Sequence, residues 1–443
     1  MDAAAEYNRL LEADPAAAVE QAGRLEEAFR AGGITFDGTP MPTFLRPHFV
    51  PRPDWDRLRA DGRRLLELAA RVARHAFEGD VGRLCAFLGT PAAEARWVRI
   101  DPGEPDVVWS RLDAFLTPEG PRFIEINSDA PAGFGYGDRM ARLFQDLSAF
   151  RELARRRRVR YVASGPPLLR AMVDLWRRRG GSGTPVLAVV DWTDVKTRAD
   201  QEILREEFEA EGVTCLRADP RELEARGGRL LAAGRAVDVV YRRAVLSELL
   251  EREDEVRAFL EAYRDGRALF VNSFRCRLSE DKAFLAVLTD EAFAPLLSED
   301  EHAFVAAVAP WTRKLADRRT RRQGREIDLL PHVIESREQL VIKPAHAYGG
   351  RSVFLGDQTD PARWERAVRA GLGEAWVVQE RVIIPEETFP VVSEGRLLFE
   401  PRKVNTNPFY VRGAEVGAVT RASRSAVINV SAGGGSVPTF VVD

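Results

Sequence analysis

From the start of the chain to about residue 90, Leu10, Leu11, Val19, Leu25 and Phe29, then Leu58, Leu65, Leu66, Leu68, Val72 and Phe77, recur near every third and fourth position, which predicts helices. A Pro-rich crossing, "GTPMPTFLRPHFVPRPDWD", separates the two helical blocks and reads as a loop packed against something else. From Trp97 the period changes. "RWVRIDPG", "VVWSRLDAFLT" and "PRFIEINSD" are short, apolar or alternating, and broken by Gly and Pro, so they predict strands of an antiparallel sheet. Residues 139 to 179 return to helical spacing. "VLAVVDW" is then continuously apolar, as a strand buried on both faces of a parallel sheet would be. A helix over about 200–211 and the strands "VTCLRADP" and "AVDVVYRR" extend this into a small βαβ-type layer. Helices around 246–264, the strand "ALFVNSF" and a helix opening near "SEDKAFLAVL", with Ser279 as its cap, follow. Beyond Leu340 the pattern is strands again: "LVIKPA", "GRSVFLG", "AWVVQERVI" and "TFPVVSEGRLLFEPRKVN". A helix at 361–371 interrupts them, and a Gly-rich closing segment ends the chain. The pattern divides the chain into a helical region (1–95), a part carrying a hairpin (96–150), an α/β subdomain (180–275) and a final part (276–443), an α+β fold overall.

Polar residues inside these strands are the candidate chemistry. Arg111 and Asp113 in "WSRLDAFLT", and Glu125 and Asn127 in "RFIEIN", each stand two apart, so across a hairpin all four side chains can share one face. Asp, Glu and Asn oxygens suit a hard ion such as Mg²⁺, with water and phosphate completing the shell. The polar outer face of a half-exposed hairpin would show the same alternation. In "LVIKPAHAYGGRSVFLG" a strand delivers Lys343, and Gly349, Gly350 and Ser352 form a loop whose amides could approach anionic oxygens. The competing reading is a Gly turn between two strands. Lys282, Gln379 and Glu380 read alone as surface or strand-edge residues, and His346 and Tyr348 as side chains packed in the loop. Arg242 and Arg243 end a parallel strand, where ligands bind in open α/β sheets, and are candidate substrate contacts. Arg402, Lys403, Arg421, Arg424 and the turn at Gly433 to Gly435 could bind an acidic substrate, cover a nucleotide, or simply close the fold.

Composition removes several classes. With 65 basic and 68 acidic residues the formal net charge is -3, which offers no global field for nucleic acid or a membrane surface. Hydrophobic content of 45% with 30% charged residues is that of a soluble globular chain. The three cysteines, Cys85, Cys215 and Cys276, lie far apart in no metal-ligand spacing. No apolar run reaches membrane-spanning length, and a cytoplasmic location is expected.

Taken in order, Arg-x-Asp, Glu-x-Asn, a Lys near a helix start, Lys-Pro with a Gly loop, and a strand ending in Gln-Glu resemble the circularly permuted ATP-grasp superfamily. The resemblance is to the synthetase branch of glutathionylspermidine synthetase, and it spans about 100–390. It implies a circularly permuted ATP-grasp fold with an inserted pre-ATP-grasp-like α/β subdomain. It also implies that Asp113, Glu125 and Asn127 hold two Mg²⁺ ions on ATP. Lys282 and Lys343 would contact the phosphates, and the 346–352 loop, with Gly349, Gly350 and Ser352, would close over them. The main chain near Gln379, Glu380 and Val382 would read the adenine, and Arg111 would sit where charge builds on the reacting carboxylate. The implied activity is an ATP-dependent carboxylate–amine ligase acting through an acyl phosphate on small-molecule or peptide substrates. A non-catalytic or regulatory nucleotide-binding protein and an ATP-dependent phosphotransferase are the alternatives. The thiol-dependent amidase that accompanies the bacterial glutathionylspermidine enzyme has no counterpart around Cys85.

Overall fold

Segments from opposite ends of the chain build the largest sheet of the computed structural model, which describes residues 2–101, 103, 106–346, 352–412, 414–428, 430 and 434–443. Its strands run in the order His48–Pro51, Gly435–Val442, Ala418–Ser423, Arg396–Val411, Trp109–Thr117 and Gly120–Asn127. Glu386–Ser393 also pairs with Arg396–Val411, and Val159–Tyr161 with Gly435–Val442. The contact between the early hairpin and the late strand is antiparallel, with Arg111 opposite Phe409 and Ala114 opposite Thr406. The Pro-rich crossing is more than a loop, because His48–Pro51 pairs in parallel with Gly435–Val442.

The helix Arg52–Ala76 covers this sheet. Its buried stripe of Trp55, Leu58, Leu65, Leu68 and Val72 shares one apolar cluster with Leu112, Ala114, Phe123 and Ile126 of the hairpin. Gly62 sets the closeness of approach. A Cβ there would lie 1.8 Å from the Tyr410 hydroxyl, which itself donates to the Leu58 carbonyl at 2.7 Å. Any larger residue would lift the helix off the strand.

The inserted layer is a four-stranded parallel sheet in the order Leu269–Val271, Val239–Arg242, Val186–Val190, Thr214–Ala218. Leu187 and Val189 pack with Leu168, Leu204 and Phe208, whereas Ala188 and Val190 pack with Phe259 and Leu260. Both faces are therefore covered, which explains the continuous apolar run. A third sheet, antiparallel, orders Thr312–Lys314, Trp376–Glu380, Leu340–Pro344 and Phe354–Leu355 over a core of Leu329, Val333, Ile342 and Trp364.

Two local expectations change. Trp97 and Val98 close the helix Ala92–Val98 rather than opening a strand, since "PAAEARWV" places Pro and Ala in its first turn and buries the aromatic in its last. Ser279 lies inside the short helix Cys276–Glu280. The cap ahead of Lys282 is Asp281, whose carboxylate accepts from the Ala283 amide at 2.8 Å. Among the described residues no helix is long and apolar enough to cross a membrane.

Asn272, just past the parallel strand Leu269–Val271, joins two of these sheets. Its Oδ1 accepts from the Val108 amide at 2.8 Å and the Trp109 amide at 3.3 Å, and its Nδ2 donates to the Trp109 and Ser128 carbonyls, both at 2.8 Å. Asn272→Ala would leave several buried backbone groups unpaired, at a cost on the order of 3 kcal/mol. The urea unfolding midpoint is expected to drop accordingly, and an unchanged midpoint would show that the latch is dispensable.

Candidate active site

Within the hairpin the register sets Arg111 opposite Asn127 and Asp113 opposite Glu125, and then slips. Ala114 faces Phe123, so Ile124 is an extra, bulged residue. The bulge turns Phe123 into the apolar cluster while Glu125 and Asn127 stay on the opposite face. It also leaves the Ile124 carbonyl to accept from Lys343 Nζ at 3.3 Å and Gln379 Nε2 at 3.4 Å.

All four hairpin residues, with Lys343 and Gln379, line one cavity of about 530 Å³. Glu125 pairs with Lys282 Nζ at 3.2 Å and lies 3.9 Å from Lys343 Nζ. Asp113 Oδ1 accepts from Arg111 Nε and Asn127 Nδ2, each at 3.0 Å, and Asp113 Oδ2 lies 3.9 Å from Arg421. Asn127 Nδ2 also reaches the Arg111 carbonyl at 3.4 Å, and Asn127 Oδ1 accepts no hydrogen bond among the described residues. Gln379 orients Lys343 through Oε1 at 3.1 Å and is itself fixed by Thr312 Oγ1 at 3.0 Å.

Burial pushes the Lys343 ammonium down to about 8, with Glu125 opposing and Lys282 reinforcing the shift. The Asp113 carboxyl responds the other way. Burial would raise it, but Arg111, Arg421 and Lys343 together hold it below the usual carboxylate range. Burial and then the neighbouring Arg111 push the Arg421 guanidinium down to about 10 against the pull of Asp113 and Glu125. Among the described residues no three His, Cys, Asp or Glu side chains form a ready-made metal cage. The donors are two carboxylates and an amide, a set that leaves positions for water and phosphate oxygens.

Beyond Gln379 the cavity is walled by Val341, Val353, Leu355, Glu380, Val382 and Ile384. The Glu380 and Arg381 amides already donate to the Trp311 and Gln339 carbonyls, both at 2.8 Å, so Val382 is the first amide in this run beyond the sheet. Gly349, Gly350 and Tyr348 lie outside the described residues. Ser352 is described, in the left-handed region at φ 58°, but its neighbour Val353 lines the cavity rather than Ser352 itself. His346 sits at 2.6 Å from Asp281 and 3.0 Å from the Gly89 carbonyl, an anchor ahead of the loop.

Of the two strand-end arginines, Arg243 lines the cavity, whereas Arg242 is fully buried against Asp129 at 2.5 Å. Among the tail cations only Arg421 reaches the site. Arg402 and Arg424 pair with Glu400, and Lys403 with Glu386. Sequence reasoning gave the "DAPAG" turn no chemistry. Here residues 130 to 133 line the cavity, with the Ala132 carbonyl accepting from Arg111 at 3.2 Å and the Ala130 and Pro131 carbonyls from Arg243 at 2.7 and 2.5 Å. Asp191, Glu248 and Glu280 also line it, and nothing in their local sequence marks them.

The circularly permuted ATP-grasp type 2 family matches residues 102–425, and the chain belongs to that family of ATP-dependent ligases. An uncharacterised protein of Mycobacterium tuberculosis is 26% identical over 483 aligned residues, which take in 98% of this chain and 80% of that protein. A Frankia casuarinae protein named "Putative glutamate--cysteine ligase 2-2" is 34% identical over 118 residues. That stretch is 25% of this chain and only 13% of the Frankia protein's length. The apo structure of a glutathione synthetase-like effector from Globodera pallida shares the fold, with a TM-score of 0.60 at 14% identity over 97% of this chain and 98% of that one.

The site concentrates charge in a place where burial penalises it. Lys343→Met removes a buried ammonium but also leaves Gln379 Oε1 without its donor and Glu125 without one of its two cations, and the thermal midpoint is expected to fall by about a few degrees. An unchanged or higher midpoint would show that the cost of burying the ammonium outweighs those contacts.

Proposed function

We propose that this protein is an ATP-dependent carboxylate–amine ligase that forms an amide through an acyl phosphate, releasing ADP and phosphate. The observation that supports the reading is one cavity in which oxygen donors, cations and an apolar end adjoin. Asp113, Glu125 and Asn127 meet Arg111, Lys343 and Arg421 there, and Val341, Leu355, Val382 and Ile384 lie beyond. The donor set fits Mg²⁺: hard oxygens only, too few to close a shell alone, and held in this structure by ammonium and guanidinium groups. Asp113, Glu125 and Asn127 would hold the ion, which when bound offsets phosphate charge. The Frankia protein's name accords with amide formation.

In this reading Lys343, oriented by Gln379 and the Ile124 carbonyl, carries a positive charge to the phosphates, and Lys282 adds a second. Arg111 and Arg421 flank the place where a substrate carboxylate oxygen takes the terminal phosphoryl group. The neutral amine nitrogen then forms the C–N bond as the C–O bond to phosphate breaks, and phosphate leaves with the electron pair and takes up the proton the nitrogen loses. Both steps place negative charge beside fixed, buried cations in a cavity, which is how such donors accelerate a reaction. No protein nucleophile is needed.

Purified protein given Mg-ATP and a panel of acids and amines is expected to release ADP, phosphate and one condensed product in equal amounts. Glu125→Gln is expected to lower that turnover by about 100-fold or more while the protein stays folded by circular dichroism. Release of AMP, a stable phosphorylated product, or nucleotide binding without turnover across the panel would each overturn the proposal.

A further inference from the structure

The cavity continues past Asn127 to the carboxyl edge of the parallel sheet, and its charge changes sign on the way. Arg111, Lys343 and Arg421 line the middle. Beyond them the lining carboxylates are Asp129, Asp191, Glu248 and Glu280, against the single lining cation Arg243. Most of these groups are already committed. Asp129 is paired with Arg242, and Glu280 accepts the Ser128 and Asp129 amides. Arg243 gives NH1 to the carbonyls of Ala130 and Pro131.

Asp191 differs from the rest. It stands directly after Val186–Val190, is only 4% exposed, and takes neutral donors alone: the Trp192 amide at 2.9 Å and the Gln201 side-chain amide. Among the described residues no Lys, Arg or His comes within ion-pair distance of it. Burial, only partly opposed by Arg243, lifts its carboxyl to about 6. Beside it Gln201 Oε1 is buried with no donor among the described residues. The Trp192 indole N–H, at 3.0 Å, holds Glu248 on the same patch. A buried carboxylate that lines the cavity with no ion-pair partner is costly unless a cation arrives to face it. An ammonium supplies one charge and three donors.

We propose that this edge of the parallel sheet binds the amine substrate in its ammonium form, with Asp191 as counter-ion and Glu248 flanking it; the nitrogen gives its extra proton to the Asp191 carboxylate before it attacks. The inference rests on the ligase reading for the meaning of "substrate", but its geometry is independent of the nucleotide end. The location is where ligands bind in open α/β sheets. It also adjoins the reacting centre. The turn at 130–132 is clasped by Arg243 at one end and Arg111 at the other, at most about 7 Å apart along the chain. The same carboxylates repel an anionic substrate and leave it to Arg111 and Arg421, so the two reactants are sorted by charge.

The test is equilibrium binding to the full chain saturated with Mg-ADP. Butylammonium, 1,4-diaminobutane and lysine amide serve as cationic probes, with 1-pentanol and succinate as neutral and anionic controls. At least one ammonium probe is expected to bind saturably and neither control to compete. Its Kd is expected to weaken about tenfold or more in Asp191→Asn and by a smaller factor in Glu248→Gln. Binding of no cationic probe, equal affinity in wild type and both variants, or displacement by succinate overturns the proposal. Mg-ADP affinity, read separately, reports on the ligase reading, so its loss and the loss of ammonium binding are distinguishable. Should Asp191→Asn misfold, Glu248→Gln decides alone.

Discussion

Glu125 is the carboxylate on which the site closes. It lies on the hairpin that the late strand Arg396–Val411 holds in place, and it meets Lys282 from a short helical turn and Lys343 from the third sheet. Three structural units thus converge through one side chain. Two ammonium groups within 4 Å of the same carboxylate form an arrangement that water would screen and that burial makes strong. The bulge at Ile124 makes the convergence possible, because without that extra residue the strand could not bury Phe123 and still turn Glu125 and Asn127 to the other side.

The same geometry shows what a sequence discloses and what it withholds. Arg111, Asp113, Glu125 and Asn127 were legible because polar residues two apart inside an apolar strand need a reason to be there. Lys343 was legible on the same ground, and the continuous run at 186–190 announced a strand covered on both faces. The bulge was not legible, since it depends on which residue of the partner strand lies opposite. Arg421 could not be told from Arg402, Lys403 and Arg424. Only its register opposite Asn405 on Arg396–Val411 turns it inward. Asp191 looks like any strand-ending acid until the topology places the edge of that strand against the hairpin. Ser279 reads as the cap, whereas the helical turn begins two residues later at Asp281, a residue type that caps equally well.

The inserted parallel sheet and the large mixed sheet meet through a shared apolar cluster, with Trp109 5.7 Å from Tyr241 and Phe409 and Val419 beside Leu187 and Val189, and through polar groups at its margin. Asn272, the Arg242–Asp129 pair and the Arg243 contacts to the 130–131 carbonyls all lie at the carboxyl end of the parallel strands. Apolar contacts hold the layers together, and directional hydrogen bonds at the margin add an angle to that contact. Relative placement of the layers is therefore specified in angle as well as in distance, which a ligand-bearing seam requires and a purely apolar seam would leave looser.

The strand Gly435–Val442 sits between His48–Pro51 and Ala418–Ser423 and also touches Val159–Tyr161. During synthesis, the early strands that border it must wait for residues 435–442 to emerge before their edges are covered. Until then each is an open template for unwanted pairing. A sheet that pairs residues 48–51 with residues 439–442 is slow to complete by topology alone, and its edges stay uncovered until that late strand has emerged.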